Sequence, residues 1–406
     1  MGKLRTYLGL ERPMWLLAIA SGTTLFSGGL VAAFITVLLW RLGASFLNIG
    51  YVASLYNVSL ALAFFLGGSL SERFGRKRIF IISLLCSLLA ILCYGIANLL
   101  LSWLIVALGL LFGRLAWGFR MTSSFSVVSS AASEKKRATA FGLVSTLGYV
   151  GSILGPIVGG VLASFHGLFV PFLLAILLMA VAIVLILLKL EKGEITSKRA
   201  IASLTEVKEA IRIEKSITVL VLLAIIGQFF NEFGNPYYFI FLESELKAPE
   251  YIMGITQSML SIGSVIIAFP GGHFSDVFQK RKPFLVFGSF LATIGVGLTA
   301  FAVNSLMVVA TYLFFGLSNA LFMISLQAYF TDIAGMRKSL VFGVYQAASW
   351  FAGIPAPPIA GSIAEVYGLR GPFIVNFIGS LIVSSLLLIL FTEKKKSNKW
   401  QIHRLH

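Results

Sequence analysis

The chain has 406 residues, of which 58% are hydrophobic and only 12% charged, and its formal charge is +16. A soluble domain is nearer half apolar and about a quarter charged, so most of this surface cannot face water. Nucleic-acid binding does not account for the positive excess, because no aromatic-basic groove pattern accompanies it.

Nearly charge-free segments recur along the whole length, and about 20 helical residues cross a hydrocarbon core of about 30 Å. They predict spans over 14–39, 48–70, 78–98, 100–130, 138–164, 168–190, 217–241, 250–271, 283–303, 305–331, 339–363 and 371–391. The fold class is therefore an all-α integral membrane protein with twelve transmembrane helices. Lys and Arg segregate along these spans. The N-terminus, the even-numbered connections and the C-terminal tail hold 27 of the 32; Arg41, Lys247 and Arg370 lie on the opposite side, and Arg114 and Arg120 lie within a span. By the positive-inside rule both termini are expected in the cytoplasm of a cell-membrane protein.

The charged N-terminus leads straight into a full-length span, so no cleavable signal peptide is expected. The opening MGKLRT fits a myristoylation pattern, yet one acyl chain adds little to twelve spans. Cys86 and Cys93 share one helix about 10 Å apart, too far for a disulfide. His166, His273, His403 and His406 are too dispersed for a metal site.

The chain repeats itself. Gly67-Gly68…Ser71-Glu72 returns as Gly271-Gly272…Ser275-Asp276, Arg137…Phe141-Gly142 as Lys338…Phe342-Gly343, and Gly155-Pro156…Gly159 as Pro357-Pro358…Gly361, at offsets of 204, 201 and 202. Two six-helix bundles are expected, 1–190 and 217–391, joined by a cytoplasmic linker at 191–216 and followed by a basic tail at 392–406. In each half the Gly-Gly pair and its acid lie at the turn between the second and third spans. Glycines there let helices approach closely, and Glu72 or Asp276 is expected to cap the next helix.

Gly68-x3-Glu72-Arg73-x-Gly75-Arg76-Lys77 resembles the loop signature of the major facilitator superfamily, with Glu where Asp is usual. The second copy, around Gly272 and Asp276, departs further, with Val277 for Arg and Gln279 for Gly. The resemblance implies two bundles related by a pseudo-two-fold axis, a substrate site between them near the midplane, and alternating access. It also implies that the loop latches the cytoplasmic ends together when the cavity faces outward.

In the fifth span Gly151, Gly155 and Gly159 recur every fourth residue, a smooth stripe for close packing, and Pro156 favours a bend. Together with Gly142 and Gly160 the spacing resembles the superfamily signature associated with drug–proton antiporters. In the fourth span, Arg114-Leu-Ala-Trp117-Gly118 resembles the superfamily's Arg-x-x-Gln-Gly, an arginine linked to proton handling, with Trp in place of Gln. At 100° per residue Arg114, Trp117 and Arg120 share one face, which is expected to turn to the cavity, although Arg120 could instead snorkel to the cytoplasmic surface.

Glu232 is the one carboxylate deep within a span. Gln228, Asn231, Glu232 and Asn235 form a polar stripe that should face the cavity or a neighbouring helix, since an intramembrane charge is costly toward lipid. Asn235-Pro236 predicts a break with freed backbone groups. Two readings stay open for Glu232, a proton carrier or one partner of a fixed ion pair with Arg114. Asn319 and Gln327 on the tenth span are further cavity candidates. Thr23, Thr24, Ser27, Tyr56, Asn57, Gln257, Gln346 and Trp350 are weaker ones.

The leading expectation is proton-coupled export of amphipathic or drug-like molecules by a monomer without cofactor, with protons as coupling ion and the bilayer as its surroundings. Many of the multidrug exporters that the chain resembles carry an acid in the first span, and its absence here counts against the antiporter reading. The alternative is a carrier of organic anions clamped by Arg114 and Arg120. A non-transporting receptor would need a signalling domain or long tail, the dispersed histidines argue against an enzyme, and no phosphate-binding Gly-x4-Gly-Lys-Ser/Thr supports an ATP-driven pump.

Overall fold

The structure, a computed structural model, describes residues 12–131, 137–189, 215–278, 280–334 and 338–393. The expected linker and tail lie almost wholly outside the described residues. The described residues form helices α1 (Arg12–Ala32), α2 (Ile35–Arg41), α3 (Phe46–Phe74), α4 (Arg76–Leu100), α5 (Trp103–Ala131), α6 (Arg137–His166) and α7 (Phe169–Lys189) in the first half. The second half holds α8 (Lys215–Gly234), α9 (Tyr238–Ser244), α10 (Glu250–Phe278), α11 (Lys282–Ala300), α12 (Ser305–Ala334), α13 (Lys338–Ala352), α14 (Ala356–Tyr367) and α15 (Arg370–Leu390). Eleven segments among these are long and apolar enough to cross a membrane. The remaining predicted span, the eleventh at 339–363, is present as two shorter pieces, α13 and α14, broken around Gly353, Ile354 and Pro355.

Three spans are thus interrupted. In the seventh, Pro236 has no N–H to continue the ladder, so Tyr237 N turns back to Gly234 O at 2.9 Å before α9 begins. In the eleventh, Pro355, Pro357 and Pro358 take the first-turn positions of α14, where missing N–H groups cost nothing. The break between α1 and α2, at Ala33 and Phe34, carries neither glycine nor proline and was not foreseen. The fifth span has Pro156 inside, yet α6 continues as one helix.

The halves pack alike. α1 lies against α6 and α7, and α4 against α5 and α7; α8 against α13 and α15, and α11 against α12 and α15, repeat that arrangement. Between halves, α3 meets α13 and α14 while α6 meets α10, a pair of contacts that the same two-fold exchange interconverts. Large apolar side chains such as Leu99, Leu104, Phe165 and Ile389 stand exposed around the outside, as lipid-facing positions should.

We call the end of the bundle that carries the α3–α4 and α10–α11 turns the basic face. At the first turn Gly75 has φ of +91°, serving as last cap of α3 and first cap of α4, a conformation that L side chains rarely adopt. For Gly68, Glu72, Arg76 and Lys77 only the backbone is described; Arg73 is exposed beside the Phe74 ring. At the second turn the expected capping by Asp276 does not occur. Asp276 instead accepts from Arg281 Nη1 at 2.7 Å and is 73% exposed. The first N–H groups of α11 are taken by Glu393, from beyond α15, at 2.6 and 2.9 Å. A carboxylate five residues back along the same turn points toward solvent, whereas the chain end after α15 returns alongside the helix start. Gly272 comes no nearer than 3.6 Å to Ile324 with an added Cβ, and the close approach belongs to its neighbour Gly271, at 2.7 Å from Leu321.

Candidate functional site

A cavity of about 560 Å³ lies between the halves, large enough for a drug-sized molecule. Helices α1 to α7 supply most of its wall; the break after α8 adds Asn235, and α9, α10 and α12 add Phe239, Gln257, Leu260, Ser261 and Tyr312. Aromatic groups surround it, with Tyr56, Tyr94, Trp117, Phe239 and Tyr312 on different sides.

Two side chains give the wall its charge. Arg114 and Arg120 both line it, and among the described residues no carboxylate does. The guanidinium of Arg114 stands 4.2 Å above the Tyr56 ring, a cation–π contact. Arg120 has no hydrogen-bond or ion-pair partner among the described residues, so its charge is left to the cavity. Trp117, one turn along from Arg114, packs edge-on against Phe64 at 5.7 Å and reaches across to Trp350 of the other half at 6.2 Å. The one-face expectation for Arg114, Trp117 and Arg120 describes this wall.

Glu232 sits elsewhere. It is fully buried, off the cavity wall, in the last turn of α8 before the break. Its Oε1 accepts from Gln228 Nε2 at 2.7 Å, its Oε2 accepts from Asn57 Nδ2 at 3.1 Å, and Asn235 Nδ2 lies 3.3 Å from both oxygens. Gly353, at the break in the eleventh span, leaves room for it: an added Cβ there would come within 2.9 Å of Glu232 Cγ. The carboxylate is therefore enclosed by three neutral donors between the two halves, with the Tyr56 ring and Arg114 beyond. The direct Glu232–Arg114 ion pair entertained from the sequence does not form.

Other expected site residues fall outside this arrangement. Asn231 is exposed, one residue round the helix from Glu232, because a 100° step carries it off the inward face. Asn319 and Gln327 of α12 are exposed and off the wall. Tyr312 is the α12 residue that reaches the cavity. Gln228 binds Glu232 but does not reach the cavity, whereas Asn235 does both.

The glycine motif of α6 positions the wall. An added Cβ at Gly151, Gly155 or Gly159 would strike the backbone of Gly22, Phe26 or Leu30 in α1. One at Gly160 would strike Glu250 and Gly254 of α10. Pro156 touches Gly254 and also lines the cavity, so this helix joins α1 to the opposite half; Gly142 faces open space.

Sequence reasoning missed two features. Ser87, Ala90, Ile91 and Tyr94 fall at i, i+3, i+4 and i+7 on α4 and line the cavity, and this small-and-polar stripe was the available signal. At the face opposite the basic one, Arg41 bonds Glu243 at 2.6 Å and Glu250 at 2.9 Å, tying the halves together. Its signal was that Arg41 is one of three cations on that side. Among the described residues no group of three or more His, Cys, Asp or Glu could hold a metal ion.

Residues 17–242 and 220–404 each match the family model of the Major Facilitator Superfamily. The chain is 25% identical to Multidrug resistance protein 2 of Bacillus subtilis, over 86% of this chain and 88% of that one. It is 24% identical to the multi-drug resistance efflux pump PmrA of Streptococcus pneumoniae, over 85% and 87%. The crystal structure of the nucleoside transporter NupG superposes with a TM-score of 0.75 at 15% identity, covering 95% of this chain and all of that one.

Proposed function

Since the chain belongs to the Major Facilitator Superfamily, we propose that it exports small amphipathic molecules in exchange for protons, by alternating access of two bundles. The observation that carries this reading is the amide-caged carboxylate of Glu232, held between the halves where a change of its charge alters how they meet. The bundles, 1–190 and 217–391, rock about the cavity, with the basic loops, the linker and both termini in the cytoplasm of a cell membrane. The relatives named for multidrug resistance support export.

In this cycle Glu232 takes a proton when reachable from outside and releases it inward, while substrate uses the cavity. The basic face would open to load substrate, and the contacts at the opposite face would part to release it. The test is purified protein in liposomes with an imposed pH gradient and a panel of amphiphiles. Wild type should move a member of the panel against its gradient, and Glu232→Gln should not respond to the pH difference. A Glu232→Gln protein that still followed the gradient would overturn the assignment.

A second reading concerns charge. Among the described residues no carboxylate shares the wall with the arginines and Arg120 has no partner, so an anionic group on the substrate would supply the missing countercharge. The carried molecules are then aromatic organic anions. Arg120→Ala should weaken a carboxylated amphiphile by about tenfold or more, the range for a charge-assisted hydrogen bond, and leave an uncharged analogue unchanged. Equal effects on both analogues would discard the anion reading.

A further inference from the structure

Hydrogen bonds from three amides hold the carboxylate of Glu232. Two of these amides, of Gln228 and Asn235, are on its own span and move with it. The third, of Asn57 in α3, is the one whose bond crosses between the halves, over 175 residues of sequence. Asn57 is itself fully buried, and its Oδ1 has no hydrogen-bond partner among the described residues. A buried amide oxygen left unpaired is unfavourable, and such a group in a native structure points to a functional use.

We infer that Asn57 is a positioning residue that reports the protonation state of Glu232 to the first half. An ionised carboxylate only accepts, and the amide N–H of Asn57 gives it a charge-assisted bond across the seam. When a proton arrives from water and binds Oε2, the carboxyl gains an O–H that must be donated. The amide of Asn57, turned about its terminal bond, offers Oδ1 to receive it, so the crossing bond changes from charged to neutral without loss of a partner. No atom other than that proton is exchanged. The seam is then held strongly in one state and weakly in the other.

The neighbours of Asn57 carry the change outward. Ser54, one turn earlier, donates to Ile354 O at the break in the eleventh span. Tyr56, the adjacent residue, lies under Arg114 on the cavity wall. The charged or titratable groups facing Glu232 are these two, Tyr56 and Arg114. Among the described residues, its own span offers it the amides of Gln228 in α8 and Asn235 in the break after it, and the eleventh span the backbone at Gly353.

The inference rests on the reading of Glu232 as proton carrier, and one experiment separates the two. In a protein with Cys86 and Cys93 replaced by Ser, Leu47→Cys places a reporter at the seam, beside the bond from Leu47 N to Glu365. The rate of its labelling by a membrane-impermeant maleimide, corrected for thiolate fraction with a free-cysteine control, is followed across about three pH units. Wild type should change by about fivefold or more, as expected when a charge-assisted crossing bond becomes a neutral one, and Glu232→Gln should not change. Asn57→Ala should flatten the response to within about twofold, while Asn57→Ser, whose hydroxyl can both donate and accept, should retain it. These two variants differ by one oxygen and share any general packing loss. If both behave alike while Glu232→Gln is flat, Asn57 is not the reporter and Glu232 stands. If Glu232→Gln responds like wild type, the proton-carrier reading fails and this inference fails with it.

Discussion

The seam between the halves differs from end to end. Away from the basic face it is closed by backbone on backbone: an added Cβ at Gly50 would strike Pro357, one at Gly361 would strike Phe46, and one at Gly254 would strike Pro156. Tyr237 donates to Phe46 O and Pro357 O together, and Arg41 bridges to Glu243 and Glu250. Toward the basic face Gly142 and Gly343, partners in the sequence repeat, both have open space around them. Small residues recur at both ends, so a glycine alone does not make a contact. The difference lies in which ends of the bundles are brought together, and in this state it is the end opposite the basic loops.

That contrast can be broken in order of expected effect. Gly361→Val should act most strongly, because overpacking a close-packed contact costs about 1–3 kcal/mol, or about fivefold to 150-fold in the closed population. Cysteine labelling at position 47 should rise accordingly and transport should fall; unchanged labelling would mean that this contact does not hold the end shut. Arg41→Ala comes next. The side chain is one-third exposed, so water screens its two pairs, and about a twofold to fivefold rise in labelling is expected, shrinking with added salt. A response indifferent to salt would point to lost packing. Gly142→Ala should be smallest, leaving transport intact and stabilising the helix by at most about 1 kcal/mol, since its Cβ meets nothing. A large loss of transport there would reveal a contact formed in another state.

What the sequence disclosed follows the range of the interactions. Span number and duplication were legible because each span must be apolar over its own length. The break in the seventh span was legible from Asn235-Pro236, whereas the first span breaks at Ala33 and Phe34 with no local signal. Helical spacing grouped Gln228, Glu232 and Asn235, and put Arg114 and Arg120 on one side of α5. It could not reach Asn57, whose place beside Glu232 depends on two bundles meeting, nor the carboxylates around Arg41. The same limit misassigned the helix cap. Asp276 is near α11 in sequence, but Glu393 is nearer in space.

The account divides labour between charges that bind, Arg114 and Arg120 on the wall, and one that couples, Glu232 behind it. Equilibrium binding of a transported carboxylated amphiphile to detergent-purified protein tests that division most directly. Glu232→Gln should bind within about twofold of wild type, while Arg120→Ala loses about tenfold or more. A Glu232→Gln protein that lost binding in step with Arg120→Ala would contradict it.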